Sequence, residues 1–308
     1  MSGPTLHPRT YRQITFVALL ALAFIIVTGA AVRLSGSGLG CPDWPNCDNG
    51  RLVAPLEYHA VVEFVNRTIT GLVSLAVVVA VLGSLRRRPR RRDLVRLSLG
   101  LVAGVLGQIV LGGLTVLFEL RPPFVMAHFL LSMVILANGV VLHWRAGQPD
   151  GHPGRLLVSP DLRRLADLVL GATALVVFLG TVVTAAGPHG GDEEAVRLDV
   201  AVHRAAQVHG ITVILLLAMV TTMLVLVRRG GAPAGVRRRG FVLMAILLAQ
   251  AAIGYVQYLT GVPELLVGAH VAGATAVWAA ALRFRLGLVD RGSLDEPADS
   301  KERTLVAA

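Results

Sequence analysis

The sequence predicts an all-α, polytopic membrane protein with eight transmembrane helices. Hydrophobic residues make up 54% of the 308 residues and charged residues only 16%, a balance that is too apolar for a soluble domain with a polar surface. Eight apolar segments are each long enough to cross a bilayer, which takes about 20 residues. The predicted spans are 14–33, 60–85, 95–118, 124–144, 165–186, 202–227, 240–260 and 265–285.

The positions of arginine in the loops predict the topology of these spans. The net charge of +10 is carried almost wholly by arginine, because Lys301 is the only lysine. Arginine runs fill the loops after the second, fourth and sixth spans, and short arginine-rich loops stay in the cytoplasm. We therefore predict a multi-pass protein of the cell membrane with both termini cytoplasmic, and the charge does not indicate a nucleic-acid partner. The loops predicted to lie outside are 34–59, 119–123, 187–201 and 261–264.

A repeat divides the chain into two halves. Gln108 precedes His128 by 20 residues, and Gln250 precedes His270 by the same interval. Spans three and four therefore align with spans seven and eight without a gap, and two halves of four helices each keep one orientation in the membrane. The repeat also argues against reading the first span as a secretory signal peptide.

The predicted organisation is two four-helix bundles and a tail. The N-terminal half covers residues 1–150, the C-terminal half 160–288, and a disordered cytoplasmic tail 289–308. The first half carries an insertion, the segment CPDWPNC in loop 34–59. Its two cysteines are too few for a zinc site, and a disulfide is favoured provided that the loop lies outside.

Polar residues open every even-numbered span at one depth. Ionisable groups inside the hydrocarbon are costly and mark functional sites, and two imidazoles on facing helices commonly ligate a heme in a bundle. We predict that His203 and His270 form such a pair, although a single histidine in an apolar helix is more often a packing residue. The residues concerned are His59, Glu63, Asn66 and Arg67 in span two, His128 in span four, His203, Arg204 and His209 in span six, and His270 in span eight.

The first half departs from this pairing. The position expected to pair with His128 holds Asn66, which is a poor ligand for heme iron. His59 lies on the same helix face as Asn66 and is either a replacement ligand or an interfacial histidine exposed to water. Glu63 is either a group that transfers protons or stabilises a cation, which we favour, or the structural ion-pair partner of Arg67.

Two arginines follow predicted site positions. Arg67 and Arg204 would suit the propionates of a heme through bidentate contacts, and the alternative is that both snorkel to the headgroups. His189, in an outer loop, would cover a heme edge rather than bind iron.

Together these motifs resemble the heme A synthase family, the COX15/CtaA type. The resemblance runs from about residue 14 to residue 285 and rests on GSGLGCPDWPNC, EFVNR, GPHGGD, HR at 203–204, and AH at 127–128 and 269–270. It implies an oxidoreductase that converts the C8 methyl group of heme O to a formyl group by successive hydroxylations. The product, heme A, serves cytochrome oxidase.

The resemblance also implies roles for single residues. His203 and His270 would hold a heme b cofactor in the second half. Glu63 and His128 would serve the substrate, heme O, in the first half. Many relatives have a histidine where this chain has Asn66, so the resemblance leaves the second ligand of the substrate heme open.

Further expectations follow from the same resemblance. Cys41 and Cys47 would form a disulfide in the outer loop, and the prenyltransferase that makes heme O would be a partner beside membrane lipid. A homo-oligomer is left open. The competing interpretation is a di-heme electron-transfer protein of b type, which needs histidine pairs but no catalytic glutamate; a transporter with parallel repeats ranks below both.

Overall fold

The computed structural model describes residues 5–151 and 153–294. Eight α-helices in this part of the chain are long and apolar enough to span a membrane, which confirms the predicted fold class and a multi-pass membrane protein. They are α1 Pro8–Leu34, α2 Tyr58–Arg86, α3 Arg92–Leu117, α4 Pro122–Ala146, α5 Pro160–Ala186, α6 Val202–Arg229, α7 Ala234–Leu259 and α8 Glu264–Leu286.

Three helices begin well before the predicted spans, and one of them is α7, which begins at Ala234 rather than 240. α1 begins at Pro8 rather than 14, and α5 begins at Pro160 rather than 165. Proline suits the first helical turn because the N–H that it lacks has no intrahelical partner there. The first turns of these helices are polar, so a hydropathy pattern does not include them.

The apolar surface of the helices faces outward. Only 17 to 33% of the most apolar window of each helix is buried inside the protein, and side chains such as Leu20, Leu75 and Leu215 are more than half exposed. Apolar exposure on this scale is unfavourable in water. Bilayer hydrocarbon is therefore the solvent of these faces, and each helix satisfies its own backbone hydrogen bonds there.

The helices form two four-helix halves, α1 to α4 and α5 to α8. Helices that follow each other pack together in each half, and the halves meet where α8 packs against α1 and α4. At this boundary Trp278 of α8 donates from Nε1 to the carbonyl of Met133 on α4 at 2.9 Å. Val177 and Val271 of the second half pack against the core of the first. The two bundles thus share an apolar boundary.

The loops define two ends of the molecule. The even-numbered helices all begin at one end, which we refer to as the disulfide end; its loops are 35–57, 118–121, 187–201 and 260–263. The opposite end is referred to as the arginine end; its loops are 87–91, 147–159 and 230–233.

A short strand pair lies at the arginine end. Strand β1, Arg155–Leu156, pairs antiparallel with β2, Val289–Asp290, and the backbone N–H of Leu294 donates to the carbonyl of Gly147 at 3.1 Å. The predicted disordered tail therefore differs from the structure at its beginning, where backbone hydrogen bonds hold it against the loop after α4. The rest of that tail, 295–308, lies outside the described residues.

Candidate functional site

The repeated glutamine and histidine have the same surroundings in both halves. On α3, Gln108 Nε2 donates to the carbonyl of His128 on α4 at 3.0 Å. On α7, Gln250 Nε2 donates to the carbonyl of His270 on α8 at 2.8 Å. In both pairs the glutamine Oε1 is buried without a partner. One interhelical hydrogen bond thus fixes the depth of each histidine.

A glycine lies against each of these imidazole rings. A Cβ atom added at Gly112 would come to 3.4 Å from Cε1 of His128, and one added at Gly254 would come to 2.7 Å from Cε1 of His270. Each ring has a buried Nδ1 without a hydrogen-bond partner. Buried polar atoms are normally paired, so these rings are positioned to interact with something other than the surrounding side chains.

In the second half the partner of His270 is His209. The two ring centroids are 6.4 Å apart and the ring planes are 70° from parallel. His209 also has a buried, unpaired Nδ1, and Gly180 of α5 lies against its ring, with an added Cβ at 3.4 Å from Cε1. Two imidazoles that bind one metal ion from opposite sides, each at about 2 Å, have centroids about 6 Å apart. The arrangement fits a bis-imidazole heme iron.

The structure places His209, rather than the predicted partner His203, beside the His270 ring. His203 is the second residue of α6 and is exposed. Six residues separate it from His209, which on an α-helix is about 9 Å along the axis and about 120° around it. Because of this separation, the two histidines of α6 cannot occupy the same place opposite α8.

The position of His209 also changes which residues of the two halves correspond to each other. Asn66 is the ninth residue of α2, whereas His209 is the eighth residue of α6. Asn66 is thus the counterpart of His209 and not of His203.

The first half has one imidazole at this depth. The Oδ1 atom of Asn66 is buried without a hydrogen-bond partner. His59 is exposed at the second position of α2, and its Nδ1 is hydrogen-bonded to Ser37 Oγ at 2.9 Å. Seven residues place His59 about 10 Å along the helix from Asn66. This is the position of an interfacial histidine, the alternative to a ligand role.

Glu63 is engaged in an ion pair. Its Oε1 accepts from Nη2 of Arg67 at 2.6 Å, and its Oε2 accepts from the backbone N–H of Cys41 at 2.8 Å. The residue is 7% exposed. Both carboxylate oxygens therefore have donors in this structure, and the role of Glu63 in proton transfer stays a prediction.

Arg67 holds the inserted loop. Its guanidinium donates to the carbonyls of Cys41 at 3.0 Å and Asn46 at 2.9 Å, and it lies over the ring of Trp44 at 5.3 Å. The guanidinium of Arg67, which the sequence predicted to bind a propionate, is therefore already bound to Glu63 and to the loop. Arg204, the other candidate, is exposed in the first turn of α6.

The inserted loop lies against the first-half site. Cys41 and Cys47 form a disulfide, as predicted. Trp44, between them, packs on α3 at Gly113, where an added Cβ would be 2.6 Å from its Nε1. Gly113 is next to the glycine that supports His128. In the second half the matching position is Tyr255, which is 68% exposed, so no loop covers that site in the same way. Trp44 was not among the predicted site residues.

The donor set fits heme better than a bare metal ion. Among the described residues there is no group of three or more His, Cys, Asp and Glu side chains that could hold a metal. A porphyrin supplies four nitrogens to its iron, so the protein has to supply axial ligands alone. Pairs of imidazoles without a carboxylate or thiolate cage meet that requirement.

Fold and site together define a multi-pass membrane protein with histidine sites suited to heme. Residues 12–61 and 52–188 match the COX15-CtaA family, described as cytochrome oxidase assembly protein. These residues make up more than half of the chain, and the chain belongs to this family.

Several relatives carry names that describe an activity. The chain is 30% identical to heme A synthase of Shewanella oneidensis over 193 residues, 56% of this chain and 55% of the relative. It is 25% identical to heme A synthase of Lysinibacillus sphaericus over 181 residues, 58% of this chain and 59% of the relative. It is 35% identical to protoheme IX farnesyltransferase of Halobacterium salinarum over 142 residues, 44% of this chain and 30% of the relative. The chain thus matches 30 to 59% of the length of these relatives.

Proposed function

We propose that the protein is a heme A synthase, which oxidises the C8 methyl group of heme O to a formyl group. The observation that carries this proposal is the inequality of the two sites. One has two facing imidazoles, His209 and His270. The other has His128, an asparagine on α2 and an inserted disulfide loop. An electron carrier with two hemes needs no such difference, whereas an enzyme that holds one heme as cofactor and another as substrate does.

The second-half site is the place for a resident heme b. His209 and His270 would hold its iron, and the glycines at 180 and 254 leave room for their rings. When bound, this group supplies one-electron redox chemistry. The protein's part is to fix two ring orientations, which the hydrogen bond of Gln250 to the His270 carbonyl supports.

The first-half site is the place for heme O. His128 would supply one axial ligand, held at its depth by Gln108. Asn66 offers a carboxamide oxygen where a second imidazole would stand, so the other axial side of the substrate is not closed by a strong ligand. The substrate is thereby bound from one side and stays accessible from the other.

Glu63 is proposed here as a positioning residue. Its carboxylate binds the backbone of Cys41 and the guanidinium of Arg67, which in turn binds the loop that bears Trp44. Through these contacts it keeps the loop against α3 beside His128. Loss of the carboxylate would loosen the cover of the substrate site and admit water.

We also propose that the disulfide end faces the outside of the cell membrane. Its loops are poor in arginine, while the loops of the arginine end are rich in it, which favours a cytoplasmic arginine end. A disulfide is stable in the oxidising environment outside the cytoplasm. Both termini would then be cytoplasmic.

A prenyltransferase is the proposed source of the substrate. The name of the Halobacterium salinarum relative, protoheme IX farnesyltransferase, supports a link between this type of chain and that reaction. Heme O is apolar and would pass between two membrane proteins in contact, which co-purification of tagged partners would test.

Heme extraction tests the proposed activity. The full chain is expressed in a host that makes heme O but has no heme A synthase, and the extracted hemes are separated by chromatography. Heme A in the extract is the expected result, and it should be lost in His128→Ala, which removes the substrate ligand. An extract with heme b and unconverted heme O would overturn the proposal and favour the di-heme electron carrier.

A further inference from the structure

Arg33 is a partly buried cation at the boundary between the halves. It lies in the last turn of α1, and its Nη2 donates to the carbonyl of Thr184 on α5 at 2.8 Å. Its Nε is buried without a hydrogen-bond partner. Among the described residues no ion pair includes Arg33. A guanidinium has five N–H donors, and burying such a charge without a counter-charge is costly.

The Arg33 guanidinium lies close to the second-half site. Thr184, its acceptor, is four residues along α5 from Gly180, the glycine that supports His209. Four residues are about 6 Å on an α-helix. From the other side, the neighbouring Leu34 approaches Gly268, where an added Cβ would be 3.5 Å from Leu34 Cδ1. Gly268 is two residues before His270, so Arg33 lies about one helical turn from the paired imidazoles, toward the disulfide end.

Space is present on the same face of α1. Gly29 precedes Arg33 by four residues and therefore lies one turn deeper on that face. A Cβ atom added at Gly29 would meet no atom within 4 Å. One turn below Arg33, this face of α1 is therefore not filled by side chains.

Two loops close over Arg33 from the disulfide end. Gly191 lies against it, with an added Cβ at 3.3 Å from Arg33 Cγ. The backbone N–H of Gly38 donates to the carbonyl of Gly191 at 2.8 Å, which joins the inserted loop of the first half to the α5–α6 loop of the second. This cover limits the access of water to the guanidinium, and a charge-assisted hydrogen bond is stronger where water is excluded.

We propose that Arg33 binds a propionate carboxylate of the heme held by His209 and His270, an inference that rests on the proposed function. A heme carries acidic side chains at one edge, and a carboxylate would supply the counter-charge and the acceptor that Arg33 lacks. The first half thereby completes the cofactor site of the second. Arg67 is occupied by Glu63 and the loop, and Arg204 is exposed, so neither competes for this role.

A binding experiment separates this role from a structural one. Heme-free full-length protein in detergent is titrated with iron protoporphyrin IX and with its dimethyl ester, in which both acids are blocked, and the Soret absorbance is followed. The wild type should bind the diacid more tightly than the diester. Arg33→Gln should weaken binding of the diacid about tenfold to a hundredfold, as expected for a lost hydrogen bond to a charged group, and leave the diester almost unchanged. Arg121→Gln, at an exposed arginine of the disulfide end, is the control and should behave as wild type.

Several results would overturn the role of Arg33. Equal binding of diacid and diester by the wild type would do so without any variant, which covers the case that Arg33→Gln fails to fold. An equal loss for both ligands would assign Arg33 a packing role. Arg33→Lys keeps the charge and should retain part of the preference for the diacid.

The same samples distinguish this inference from the proposed function. A wild type that forms heme A but whose ligand preference is unchanged by Arg33→Gln would remove Arg33 alone. A wild type that binds no heme with two imidazole ligands would remove the site itself.

Discussion

The two halves share one scaffold and differ in the side chain that faces the repeated histidine. Both place a histidine on the fourth helix of the half, with its carbonyl bound by a glutamine and its ring against a glycine. The second half adds an imidazole from its second helix, whereas the first half has Asn66 there. The difference teaches that a repeated bundle can keep the glutamine and glycine contacts of one histidine while the residue facing that histidine changes.

The largest expected effect comes from the histidine that the structure pairs with His270. His209→Ala should abolish the proposed heme binding of the second half, because one of the two proposed iron ligands is removed. His203→Ala, on the same helix, should keep the heme content of the wild type. Heme content and the reduced-minus-oxidised spectrum measure both variants. Loss of heme from His203→Ala with retention in His209→Ala would restore the pairing that the sequence suggested.

A second change would make the halves alike. Asn66→His places an imidazole where the second half has His209, and it should add a second low-spin heme signal by electron paramagnetic resonance. Asn66→Ala is the control, because it removes the carboxamide without adding a ligand. An unchanged spectrum of Asn66→His would show that the halves differ in more than this residue.

Breaking the ion pair beneath the inserted loop should have a smaller effect. Glu63→Gln should leave heme O bound but mostly unconverted, because the loop is no longer held by a charged contact with Arg67. The loss of one member of a buried pair costs about 3 kcal/mol, so reduction of the Cys41 to Cys47 disulfide by an added thiol should also be faster. Both the heme A yield and the reduction rate are measured.

Glu57 provides the matched control for that experiment. It is exposed at the start of α2 and makes no capping hydrogen bond through its side chain, so Glu57→Gln should change neither quantity. Ordinary heme A yield from Glu63→Gln would remove Glu63 from the positioning role.

The smallest effects should distinguish the two supporting glycines. Gly254→Ala would bring its Cβ to 2.7 Å from the His270 ring and should displace it, at a cost of about 1 to 3 kcal/mol. Gly112→Ala would reach only 3.4 Å from the His128 ring, and the gain in helix propensity of about 1 kcal/mol offsets that contact. Retention of heme during denaturant titration compares the variants. Equal sensitivity at both positions would contradict the difference in packing.

The sequence by itself determined the membrane architecture. Eight long apolar runs, the positions of arginine and the interval of 20 residues between Gln108 and His128 are local properties, and they fix spans, an expected topology and a repeat. The same interval places His270 correctly, because α7 and α8 match α3 and α4 without a gap. The disulfide was also predictable, since Cys41 and Cys47 lie six residues apart in one loop.

Only the tertiary structure decided which side chains meet. The sequence presents both His203 and His209 as candidate site residues. The choice between them depends on the depth and rotation of α6 against α8, which no local sequence pattern contains. The pairing of Glu63 with Arg67 and the burial of Arg33 against α5 depend likewise on how loops and helices from distant parts of the chain pack. The apolar pattern predicts each helix. A difference of six residues, however, moves a side chain by about 9 Å and to another face of the helix. Only the packing of the helices therefore decides which residue of α6 faces α8.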